Sequence, residues 1–202
     1  MDAHTELERD LETASFEAVR RTVAAHADEA LYCIALFTSS EYGYVCDTAN
    51  SAEGLDGLIN AGLAQGHYVN RSDASSAYRW SPCDWPYHLE NEDLFQRPNE
   101  LIEAIWRSLD GAPQAEADRA YIAIHGVFVS VLRRLRGSGL VPDNCLLMLL
   151  AGDQSDEARV VNAEAINPPA LVARFLPDFV LDPARLTRLR ANRWPRDGFF
   201  EP

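Results

Sequence analysis

The chain has 202 residues, 47% of them hydrophobic and 9% aromatic, a size and composition that suit one globular domain with a sizeable core. Its net charge of −13, from 31 acidic and 18 basic residues, disfavours generic nucleic-acid binding, where phosphate repulsion would have to be overcome. There is no run of about 18 apolar residues, and the N-terminus is acidic (Asp2, Glu6, Glu8, Asp10, Glu12), so neither a membrane span nor a signal peptide is expected and the cytoplasm is the expected address.

A first helix is predicted from about Thr5 to Ala25, with Leu7, Leu11, Ala14, Ala18 and Val19 on its inner stripe. Leu31 to Phe37 reads as a mostly buried strand, and Tyr42 to Asp47 as its hairpin partner. With Ser39-Ser40 as a two-residue loop, Cys33 would stand opposite Cys46; a cytosolic setting favours two buried thiols there over a disulfide. Asn50 or Ser51 caps a second helix carrying Leu55, Leu58, Ile59 and Leu63 and ending near Gly66. The polar stretch from Asn70 to Ser76 reads as a loop, followed by a third strand around Ala77 to Trp80.

A helix from Pro98 through Leu109 comes next, then the longest one, from about Ala115 to Arg136. Tyr121, Ile124, Phe128, Val131 and Leu135 form its main stripe, with Ile122 and Val129 on the far side, as expected of a central helix. Cys145 to Ala151 is a nearly continuous apolar run, read as an interior strand. A helix from Asp156 to Ile166 follows, although Val160-Val161 would also suit a strand; Asn167-Pro168 and Asp182-Pro183 each look like a cap followed by a first-turn proline. The expected fold is α+β: a small, largely antiparallel sheet packed with several helices in a single domain over residues 1–202, with an Arg-rich extension from about residue 176.

Arg79-Trp80-Ser81-Pro82-Cys83-Asp84-Trp85-Pro86-Tyr87 packs two of the four tryptophans, a tyrosine and an arginine into nine residues. Ser81-Pro82 with Asp84 is a helix-start pattern. Alternation assigns Trp80 to the inside, and Trp85 and Tyr87, which sit past the cap, are free to face outward. Arg79, Trp85 and Tyr87 are therefore the candidate partner-binding residues, since Trp, Tyr and Arg dominate binding hot spots.

Several segments together resemble the bacterial domain of unknown function 4303 family. Leu31-Tyr32-Cys33-Ile34-Ala35-Leu36-Phe37-Thr38 is similar to its first strand, Asn50-Ser51-Ala52-Glu53-Gly54-Leu55 to its Asn-x-x-Glu-Gly-Leu helix start, and Arg79-Trp80-Ser81-Pro82 with Trp85 to its most recognisable block. Asn167-Pro168-Pro169 followed by Phe175 is similar to its C-terminal helix start. The resemblance implies a fold and a bacterial origin; it brings no reaction and no catalytic residues.

Other constellations have plainer readings. His125 lies on the long helix without a local nucleophile and reads as a packed histidine. His67 and His88, with Asp84 or Glu90, lack the fixed spacing of metal ligands, and the four dispersed cysteines form no Cys-x-x-Cys pair, so no metal or cofactor is expected. Gly54-x-x-Gly57 falls inside a helix, and Gly137-x-Gly139 lacks the lysine of a phosphate loop. All 18 basic residues are arginine, which a GC-rich genome produces as readily as any function does. Five arginines and Trp194 between Arg185 and Arg196 read as a solvated or self-packed tail.

The expected function is a non-enzymatic protein-binding module, immunity- or antitoxin-like, acting on a basic partner such as a toxin, without nucleic acid or membrane. The alternative is a small hydrolase or nucleotide-handling enzyme with a site near Trp80, Asp84 and His88.

Overall fold

The computed structural model describes residues 3–191; the tail residues Arg193, Trp194 and Arg196 and the acidic Asp2 lie outside that range. The fold is α+β. Strands β1 (Leu31–Thr38), β2 (Cys46–Ser51), β3 (Tyr87–His88) and β4 (Leu146–Ala151) form one sheet in the order β3-β2-β1-β4. β1 runs antiparallel to β2 and β2 antiparallel to β3, as expected of a largely antiparallel sheet, while the edge strand β4 runs parallel to β1 and makes the sheet mixed. Hairpin logic anticipates an antiparallel partner for β1 but places it at Tyr42–Asp47, four residues before the observed β2, and the parallel neighbour arrives from the far end of the chain without a local signal.

Helices cover both faces. Ile34, Leu36, Leu147 and Leu149 face a core built with α1 (Ala3–Ala25), α4 (Gln96–Arg107) and α5 (Gln114–Gly137), where Leu7, Leu11, Ile102, Ile124, Phe128 and Leu135 are fully enclosed. Cys33, Ala35, Phe37, Leu146, Met148 and Leu150 face a second core containing Trp80, Trp85 and residues of α7 (Pro169–Phe175). Burial on both sides is why 145–151 reads as an unbroken apolar run. The remaining helices are α2 (Ala52–Ala64), α3 (Arg71–Tyr78), α6 (Asp156–Ile166) and α8 (Pro183–Ala191).

The hairpin register differs from the two-residue-loop expectation. Cys33 pairs with Asn50, and Cys46 pairs with Phe37. Residues 39–45 are not strand: Tyr42 takes a left-handed conformation (φ 52°) that turns its ring into the core, where it packs on Tyr121 and Phe128 and bonds His125. Cys33, Cys46, Cys83 and Cys145 are all free thiols, and only Cys83 is exposed.

The second difference decides the site. Residues expected as a polar loop and a third strand form α3, whose N-cap Asn70 accepts a hydrogen bond from the backbone N–H of Asp73. Only Ala74 of this helix is buried, so no apolar stripe marks it in sequence. The third strand lies later, at Tyr87–His88, paired with Thr48 and Ala49.

Candidate functional site

α3 places Arg71, Ser75 and Arg79 on one side at spacings of four residues, with Ser72 and Ser76 beside them. That side faces a pocket of about 720 Å³. Its opposite wall is α2, through Leu55, Asp56 and Ile59; Leu31 and Tyr32 of β1 form the back, and Arg174 and Phe175 of α7 close one end.

Each arginine is held differently. Arg71 donates to Asp56 (2.6 Å) and Asn60 (3.1 Å). Arg79 donates to Asp178 (2.7 Å), and its guanidinium sits 5.3 Å from the Tyr32 ring centre and 5.9 Å from that of Trp80, within cation–π range. Arg174 is exposed and makes no ion pair or hydrogen bond among the described residues. The Tyr32 hydroxyl donates to the Arg79 carbonyl (2.8 Å) and accepts from Asn50 (3.0 Å), fixing the rear wall, and burial raises its pKa far above the ordinary tyrosine value.

Directly behind α2 lies a polar node. One oxygen of Glu29 accepts from both Ser51 and Tyr87, and its other oxygen lies 3.1 Å from His26 Nδ1. His26 Nε2 lies 3.1 Å from Glu90. The Ser51 hydroxyl also caps α2, accepting from Gly54 N–H at 2.8 Å, while Glu53 accepts from Ala30 N–H at 2.9 Å. The two hydroxyl donors hold Glu29 below the usual carboxylate pKa. Partial burial opposes charge on His26, but the bonds to Glu90 and Glu29 outweigh it and raise its pKa. Burial, then the neighbouring Glu29 carboxylate, push Tyr87 up to about 12.

The three residues proposed from sequence therefore separate. Arg79 rims the pocket, and Tyr87 is half-buried in the Glu29 node. Trp85 does not face outward: it is 2% exposed, donates from Nε1 to the Tyr78 carbonyl (3.1 Å) and packs edge-on to Tyr32. The 3-10 turn at Pro82–Asp84 rolls the chain over, which returns Trp85 to the same core as Trp80. Asn50 and Ser51 join the two remaining sites, since one bonds the Tyr32 that holds Arg79 and the other bonds the Glu29 that holds Tyr87.

Asp84 and His88 do not meet. Asp84 is exposed and bonded by Ser81, whereas His88 packs its ring against Phe37, and burial lowers its pKa. His125 is buried and bonded to Tyr42, its pKa lowered by burial to about 3. Among the described residues no group of three His, Cys, Asp or Glu side chains could hold a metal ion, and no helix is long and apolar enough to cross a membrane. His26, Glu29, Tyr32, Arg71 and Arg174 were not singled out in the sequence; only the Arg71-Ser75-Arg79 spacing carries a signal, and only once α3 is known to be a helix.

Residues 11–168 match the family described as Domain of unknown function (DUF4303), and the chain belongs to that family. The match takes in the Asn50–Leu55 helix start, the Arg79–Trp85 block and Asn167-Pro168, and it stops short of Phe175 and Arg174. No curated protein and no solved structure matches the chain.

The helix-start motif has a physical reading. Asn50 ties the strand end to Tyr32, and Glu53 takes the Ala30 N–H. Gly54 leaves room where a Cβ would stand 2.6 Å from Asn50 Oδ1 and 2.8 Å from Pro86 Cγ, while Leu55 is buried on the pocket wall.

Proposed function

We propose that this protein is a non-enzymatic binding module that works in the cytoplasm and receives an anionic group of its ligand or partner in the arginine-rimmed pocket. The observation that carries the reading is the convergence of Arg71, Arg79 and Arg174 on one open pocket in a chain of net charge −13. Guanidinium groups present planar, paired donors that match carboxylate and phosphate oxygens, and serine hydroxyls beside them add further donors. The test is a thermal-shift titration with citrate, phosphate and sulfate against chloride at matched ionic strength. The multivalent anions should raise the melting temperature of wild type beyond chloride, and Arg174→Gln should lose that increment. An undiminished increment in Arg174→Gln would remove the pocket from the function.

A second reading is a basic protein partner such as a toxin, toward which the chain would act as an immunity- or antitoxin-like protein. It is favoured by a groove of about 740 Å³ lined by Glu92, Asp93, Glu100 and Glu103, the last three of them ion-paired with Arg21, Arg97 and Arg107. A groove of this sign speeds association with a basic partner most at low salt. Glu100→Lys with Glu103→Lys should slow association with such a partner and leave the anion titration unchanged; association at the wild-type rate would discard the acidic face.

A further inference from the structure

We propose that the pocket's ligand is an α-carboxylate carried on an apolar residue, as at the C-terminus of a polypeptide; the proposal rests on the anion-binding reading above. Two surfaces share this one pocket. The polar lining is guanidinium and hydroxyl together with the Asp56 carboxylate that Arg71 holds, and the apolar lining is Leu31, Leu55, Ile59 and Phe175. A ligand that satisfies both must carry its charge within about one residue of its apolar part. A C-terminal apolar residue does so, whereas an Asp or Glu side chain brings charge without the apolar body.

Asp56 lies on Arg71 at 2.6 Å and Asp178 on Arg79 at 2.7 Å, so two of the three guanidinium groups are held and oriented by the protein's own carboxylates. Arg174, with no bond to any described residue, is the one left to supply paired donors to an incoming carboxylate. It stands next in sequence to Phe175, which joins charged donor to apolar lining. Ser75 and Ser76 can then donate to the second carboxylate oxygen or accept the N–H of the ligand residue.

A nucleotide fits less well. A base needs an open aromatic face to stack on. Tyr32 has its face beneath the Arg79 guanidinium and lies edge-to-face with Trp80 and Trp85.

Isothermal titration calorimetry with four probes tests this: N-acetyl-phenylalanine, its carboxamide, an acetylated hexapeptide ending in phenylalanine with a free carboxylate, and inorganic phosphate. The acid should bind, and the carboxamide should bind at least tenfold more weakly. Arg174→Gln, at an exposed and unbonded position, should lose at least tenfold for the acid while keeping the wild-type circular dichroism. Tighter binding of the hexapeptide than of the single residue would identify a polypeptide end as the source, and equal binding a free apolar acid. Phosphate binding without discrimination between acid and carboxamide would overturn the proposal while leaving the anion reading in place, and acid binding unchanged in Arg174→Gln would take the ligand out of this pocket and overturn both. Binding of neither acid nor phosphate would overturn both.

Discussion

His26 lies flat on Tyr87, ring centres 3.7 Å apart and planes 25° apart, and both side chains end on the same carboxylate, Glu29. Because Glu90 holds the other ring nitrogen, both nitrogens of His26 face carboxylates, an arrangement that only the doubly protonated ring satisfies by donating twice. The turn just past α1 is thereby fastened to the segment that follows β3 and, through Glu29 and Ser51, to the cap of α2.

The pH response of this node follows from the directions of its shifts. His26 titrates above its ordinary 6.5, so its contribution is complete below pH 6.5 and is lost as pH rises through the raised value. Glu29 titrates below its ordinary 4.5, so its contribution is present above that value and is lost as pH falls through the lowered one. The melting temperature should therefore decline as pH rises above 6.5, by about 2–4 °C, corresponding to roughly 1 kcal/mol for a partly exposed pair. His26→Gln should flatten that decline, and an unchanged slope between pH 6.5 and 9 would show that the node does not titrate.

Both tryptophans of the Arg79–Tyr87 segment belong to the core. Trp80 is 7% exposed and packs on Phe175 and Phe179. Trp80→Ala and Trp85→Ala should each cost about 3–5 kcal/mol in urea unfolding. Stability within 1 kcal/mol of wild type for Trp85→Ala, on the order of a surface substitution, would return that residue to the surface.

Two glycines of α2 should respond in opposite directions. A Cβ at Gly54 meets Asn50 and Pro86 closer than 3 Å, so Gly54→Ala should destabilise by about 1–3 kcal/mol and loosen the pocket wall. At Gly57 nothing lies within 4 Å, and Gly57→Ala should stabilise by about 0.5–1 kcal/mol through helix propensity. Equal effects in denaturant titration would mean that the close approach at Gly54 is relieved by small shifts.

The thiols should sort by burial. Under denaturing, non-reducing conditions four should react, and in the native protein Cys83 alone should react quickly. Two thiols missing in the denatured count would mean that a disulfide forms.

Much of the scaffold was legible from the sequence because periodic burial writes itself into residue order. The stripe Leu7, Leu11, Ala14, Ala18 and the strands from Leu31 and Leu146 are where the pattern places them. The site was less legible for the same reason. α3 buries only Ala74, so its capping residues Asn70 and Asp73 looked like a loop, and its arginine-bearing side was invisible without the helix. The outward orientation expected of Trp85 past the Ser81 cap also fails, because the 3-10 turn at Pro82–Asp84 returns the chain to the core. Glu29, His26 and Glu90 come together only when the end of α1 meets β3, a contact that no local pattern encodes.

The parallel pairing of β1 with β4 also sets an order of assembly. β1 finds β2 across a short connection, but its other edge pairs Cys33 with Leu146 and Thr38 with Ala151, residues synthesised only after α5. Until then the apolar edge of β1 has no strand partner, and closing that long loop carries an entropic cost before any contact rewards it. The slow step of folding should therefore be the docking of β4 beside β1, and a nascent chain that stops short of Ala151 carries an unpaired strand edge that invites aggregation.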